Sequence, residues 1–89
     1  MNSIFVESLT KVDMSYLRMP MAIIYDSPKD FPELCLCRLW EGAGCRPTAT
    51  AICRNTIDEL REDIKAAGFQ VVIPRSRGDD PVIVETWIK

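Results

Sequence analysis

Short apolar blocks, broken by proline, glycine and aspartate, run through most of this chain, and their spacing reads mainly as β-strand. Residues 21–25 form a first block, with Ile23 and Ile24 at its centre, and Asp26-Ser27-Pro28 ends it because turn formers and proline do not continue a strand. Residues 34–40 and 48–53 form a second and a third block. The loop 41–47 between them holds Gly42, Gly44 and Pro47, so the pair reads as a hairpin.

The period then changes. Ile57, Leu60, Ile64 and Ala67 recur at helical spacing. Asn55 or Thr56 stands at the N-cap position, with Glu59 placed to complete a capping box and Asp58 placed to complement the helix dipole. Gly68 follows where a left-handed residue is wanted. Two further β-rich blocks, 69–73 ended by Pro74 and 82–88, are joined by residues 75–81. The order β-β-β-α-β-β predicts an α+β fold: an antiparallel sheet of about five strands with one central helix packed on one face.

Residues 1–20 admit two readings. Phe5, Leu9, Val12 and Tyr16 lie on a helical stripe that Pro20 would terminate. Alternatively, the natural start is Met14, Met19 or Met21 and the preceding residues are a loosely ordered extension. The expected organisation is an N-terminal extension, 1–20, followed by a single α+β domain, 21–89.

Pairing Trp40 with Thr48 in the hairpin sets Cys35 against Cys53, Cys37 against Ala51 and Leu39 against Ala49 on one side of the sheet. Those small side chains would seat the Ile57, Leu60, Ile64 stripe. The other side would then carry Leu34, Leu36, Arg38, Trp40, Thr48, Thr50, Ile52 and Arg54. One short helix cannot cover both sides, so this mixed face is expected to meet solvent, the N-terminal segment, a second copy or a ligand.

Composition sharpens the picture. At 89 residues, 47% hydrophobic and 27% charged, the chain has room for one core and has no signature of disorder. A net charge of −2 and a pI near 5.0 leave no global positive field for phosphate backbones. The uncharged stretch 66–74 is far too short to span a bilayer. Glu7, Lys11, Asp13 and Arg18 interrupt the first residues where a secretory signal would be apolar, so the expected compartment is the cytoplasm and the four cysteines are expected as free thiols.

Candidate chemistry is sparse. Cys35, Cys37, Cys45 and Cys53 are weak candidates for a zinc site, because their spacing departs from the paired pattern of zinc ribbons; buried thiols acting as small hydrophobes are the plainer reading. The chain has no histidine, the commonest general base, and no nucleophile elbow, phosphate loop or dinucleotide fingerprint. Asp79-Asp80 reads as a solvated turn before Pro81, with a bound cation as the sharper alternative. Arg38 and Arg54 beside Trp40, with Arg75 and Arg77 as an anion contact, could stack on and neutralise single-stranded nucleic acid. The helix residues Asp58, Arg61, Glu62 and Lys65 offer opposite-charge pairs on a solvent-facing side.

The run from Leu36 to Trp87, with Arg38-Leu39-Trp40, Pro47-Thr48, the segment 56–61 and the segment 79–85, resembles short uncharacterised bacterial proteins of mobile elements. That resemblance implies a bacterial cytoplasmic setting and transfers no functional residue. Thr56 to Leu60 is similar, more loosely, to the helix start of HicB-type antitoxins, although the glycine-rich strand turn and the appended DNA-binding helices of that family are missing.

The expected function is therefore a noncatalytic protein-interaction or regulatory module, without a cofactor. It would bind a protein partner or a second copy through Arg38, Trp40, Thr50, Ile52 and Arg54. The alternatives are an antitoxin-like nucleic-acid-binding regulator and a small metal-stabilised domain.

Overall fold

The computed structural model describes residues 3–29 and 31–89. It is an α+β fold with one α-helix on one face of a six-stranded mixed sheet. The elements are β1 (Ile4–Phe5), a 3-10 helix (Leu9–Lys11), β2 (Pro20–Asp26), β3 (Cys35–Glu41), β4 (Arg46–Arg54), α1 (Ile57–Ala66), β5 (Val71–Pro74) and β6 (Ile83–Ile88). The strands lie in the order β1-β4-β3-β2-β6-β5. Five of them are antiparallel as expected. The sixth, β1, joins the edge parallel to β4 and makes the sheet mixed.

Helix α1 starts and stops where its residues dictate. The Thr56 hydroxyl accepts the Glu59 N–H at 3.2 Å, satisfying a donor that has no partner within the helix. At the other end Gly68 takes φ +97°, which a side chain would resist. Its N–H donates to Lys65 O and the next N–H, from Phe69, to Ile64 O, so two orphan carbonyls are satisfied and Phe69 turns inward beside Ile64. Leu60 and Ile64 are fully buried, and Ile57 and Ala67 pack at the margin of the same core.

The N-terminal stripe does not form an α-helix. Ser8 accepts the Thr10 N–H and Asp13 accepts the Ser15 N–H, and these local turns compete with helical hydrogen bonds. Leu9 and Met14 are nevertheless buried, while Phe5 and Tyr16 are exposed. Asp63 on α1 holds the segment in place by accepting Ser8 Oγ at 2.6 Å and the Leu9 N–H at 2.9 Å, with Arg54 at 3.5 Å. Further along, the Glu41 carboxylate takes the N–H groups of Arg18, Met19 and Ala43, which hold its carboxyl below the usual range.

The hairpin register differs from the expected one. Trp40 lies opposite Pro47 rather than Thr48, and Arg38 lies opposite Ala51. Both halves are thus one residue away from the expected pairing, in opposite senses, and β4 bulges between them. A slip of one residue exchanges the faces of a strand. On β3 the odd positions Cys35, Cys37 and Leu39 do face the helix, but on β4 it is Ile52, not Ala51 or Cys53, that enters the core with them.

Among the described residues Glu85 is the one charged residue that is buried, and it is fully engaged. Arg61 reaches from α1 to clasp both carboxylate oxygens at 2.9 and 3.0 Å, and the Trp87 indole N–H donates at 2.7 Å. The Arg61 guanidinium holds the Glu85 carboxyl below the usual glutamate range. The expected Arg61–Asp58 pair also forms, so the helix side that reads as plain solvated surface carries a clamp onto β6.

Two outcomes follow. Because the folded-state pKa of Glu85 is depressed, its contribution to stability is present above the unfolded value of about 4.3 and is lost as pH falls through the lower folded value. Glu85→Gln should cost about 1–3 kcal/mol at neutral pH in urea unfolding and should flatten the loss of stability on acidification. Asp63→Ala should cost about 1–2 kcal/mol and speed amide exchange of residues 8–17 more than that of β2 or β3.

A candidate interaction face on the open side of the sheet

The side of the sheet away from α1 carries Met21, Ile23 and Tyr25 from β2, Leu36, Arg38 and Trp40 from β3, Ala51 and Cys53 from β4, and Ile83, Thr86 and Ile88 from β6. Alternation along each strand places them there. The core cluster lies on the other side, including the N-terminal Leu9 and Met14. On this side Ile23, Leu36 and Ala51 are buried, with Pro28 and Phe31 beside Leu36, whereas Met21, Tyr25, Arg38, Trp40, Ile83 and Ile88 stay partly exposed. Edge strand β5 extends the apolar surface through Val71 and Ile73, opposite Ile88 and Thr86 and each about half exposed, at 54 and 45%.

Of the residues expected to build an interaction face, Arg38 and Trp40 are on it. Ile52 is not, being fully buried under α1. Arg54 lies opposite Cys35 on the helix side and is paired with Asp63, and Thr50 shares the parity of Ile52. Their places are taken by Ala51 and Cys53, for the register reason given above. Tyr25 belongs to the site although hairpin pairing alone does not reveal it. The alternation of β2 against β3, which sets Tyr25 opposite Leu36, is the signal that does.

A pocket of about 200 Å³ opens on this face, lined by Ser3, Tyr25, Pro28, Phe31, Leu36 and Arg38. Phe31 meets Phe5 edge-to-face at 5.3 Å, which closes the β1 end. The Trp40 indole N–H donates to the Tyr25 hydroxyl at 3.2 Å. Arg38 Nη1 donates to Thr48 O at 3.0 Å and Ala49 O at 3.4 Å, and Nη2 to Ser3 Oγ at 2.6 Å. Burial raises the Tyr25 phenol above its ordinary range, opposed by the Trp40 hydrogen bond and the Arg38 charge.

The remaining candidates do not gather. Arg75 and Arg77 lie exposed beyond β5, and strands β2 and β6 separate β5 from the β3 strand that carries Arg38. Asp79 and Asp80 cap their own turn by accepting the Ser76 and Val82 N–H groups. Cys35 and Cys37 face the helix, Cys53 faces the open side and Cys45 sits in the exposed β3–β4 turn, all four as free thiols. Among the described residues no cluster of three or more histidine, cysteine or acidic side chains is placed to hold a metal. Burial drives the Cys37 thiol far up, so it is an inert core residue. Among the described residues no helix is long and apolar enough to cross a membrane.

Comparison with family models, with characterised proteins and with solved structures finds no match to this chain.

The Tyr25 environment gives a direct check on the site. In a residue-resolved NMR titration Tyr25 should ionise above the ordinary phenol value, and Arg38→Gln should move it higher still, because the nearby positive charge that favours phenolate is removed.

Proposed function

We propose that this protein is a noncatalytic interaction module that engages a protein partner, or a second copy, through the open sheet face centred on Arg38, Trp40 and Tyr25. The observation that carries this reading is a largely apolar sheet face opposite α1 on which Met21, Tyr25, Trp40, Ile83 and Ile88 remain partly exposed. Six strands at about 4.8 Å spacing make a face about 24 Å wide. Such surfaces in a small domain mark contact sites. Arg, Trp and Tyr are also the side chains that most often anchor protein interfaces.

A bacterial cytoplasmic setting and an antitoxin-like regulatory role remain part of this proposal only through the sequence resemblances. The nucleic-acid reading itself draws little from the geometry. Arg38 and Arg54 lie on opposite sides of the sheet, and Arg54 is neutralised by Asp63. The metal-stabilised reading loses its basis where the cysteines diverge.

The test is affinity capture with the whole chain, combined with sedimentation. The Arg38→Glu, Trp40→Ala double variant should lose the partners that the wild-type chain retains, or dissociate a wild-type dimer. A monomeric wild type, together with a folded double variant that keeps every partner, would reject the proposal.

A further inference from the structure

The described strand residues of the open face are uncharged except at one point. Arg38 is the only charged side chain that the described strand residues present there, since Asp26, Glu41, Arg46, Arg54 and Glu85 all lie on the helix side. It projects into the pocket between Tyr25, Phe31, Pro28 and Leu36, and no carboxylate of a described residue lies within 4.0 Å of it.

The hydrogen-bond inventory of this guanidinium is incomplete. Nη1 serves two backbone carbonyls and Nη2 serves Ser3, which leaves Nε–H and one Nη2 hydrogen without an acceptor among the described residues. Among the described residues no fully buried side-chain nitrogen or oxygen lacks a partner, so Nε, which has none, is not fully enclosed. A half-buried cation held by neutral acceptors within apolar walls favours a carboxylate, which the planar guanidinium can meet with two parallel hydrogen bonds.

Resting on the interaction reading above, we propose that the occupant of this pocket is an acidic side chain of a partner protein, flanked by apolar residues that lie on the surrounding sheet face. A second copy does not meet this requirement in a face-to-face arrangement. The described strand residues of its open face bring another Arg38 and no carboxylate, and Asp80, the carboxylate near Tyr25, is held by the Val82 N–H in its own turn, so each cation would be desolvated against apolar side chains. A pocket of about 200 Å³ is below the usual size for a whole small-molecule ligand and suits one anchoring side chain.

The experiment titrates ¹⁵N-labelled whole chain with a blocked tetrapeptide of leucine, glutamate, phenylalanine and leucine, and separately with its glutamine counterpart. NMR follows Arg38 Nε–H, Trp40 Nε1–H and the Leu36 amide. The expected result is saturable shifts at all three probes, about tenfold tighter for the glutamate peptide, with a preference that shrinks at high salt. This comparison uses unaltered protein, so it holds even if Arg38→Gln disturbs the β4 bulge. Where Arg38→Gln folds, the preference should vanish. Asp30→Asn should keep it, and a preference found only in that variant would assign the cation to an in-chain carboxylate and overturn the proposal. Equal affinity for the two peptides, no saturable shift, or a wild-type dimer that Trp40→Glu dissociates would also overturn it. If the peptides fail while the Arg38→Glu, Trp40→Ala variant still loses its partners, the interaction face stands and only the acidic occupant falls.

Discussion

Between Arg38 and Trp40 strand β3 advances by one alternation, while its partner β4 runs on from Ala51 to Pro47 and bulges outward. That irregularity decides which side of β4 meets the helix, and so which residues are core and which are surface. Two side chains hold it. Thr48 Oγ1 donates to Leu39 O at 2.7 Å, and the Arg38 guanidinium donates to the carbonyls of Thr48 and Ala49 within the bulge. A bulge bends its strand and re-aims the neighbouring side chains. Here the residue that stitches the distortion is also the one charge that the described strand residues present on the open face, so the integrity of the fold and the chemistry of the surface share a single side chain.

The helix side depends on comparable economy. α1 contacts β2, β3 and β4 with its apolar stripe, but two polar ties fix its position: Arg61 to Glu85 on β6 and Asp63 to the Ser8-Leu9 segment. Both satisfy groups that burial would otherwise penalise, since a shielded carboxylate without donors is far costlier than one fully bonded. Through Asp63 the chain before β2 becomes part of the core, delivering Leu9 and Met14 to a small hydrophobic cluster that α1 alone would leave unroofed at one end.

Local signals were legible in the letters. Thr56, Glu59 and Gly68 state their helix boundaries through capping and left-handed geometry, and the apolar blocks ending at Asp26-Ser27-Pro28 and Pro74 mark strands. What stayed hidden was set by partners distant in sequence. Nothing near Thr48 announces two extra residues in β4, so a regular hairpin puts Ile52 on the wrong side. Phe5, Leu9, Val12 and Tyr16 have helical spacing, yet the Ser8 and Asp13 turns and the reach of Asp63 override it. Arg38 and Trp40 were found because β3 itself is regular; Tyr25 and Phe31 needed the β2–β3 pairing and the Phe5 contact that only the assembled sheet supplies.

The strand order carries a kinetic consequence. β2 occupies the interior of the sheet, with β3 on one side, joined to it by a short connection, and β6 on the other, drawn from far along the chain. The near pairing closes cheaply, whereas the distant one must first overcome the entropy of a long loop. The barrier to folding is thus weighted toward the arrival of β6, and until it docks the apolar β2 presents an unsatisfied backbone edge. Such an edge is a template for misassembly during the time the chain takes to complete its last pairing.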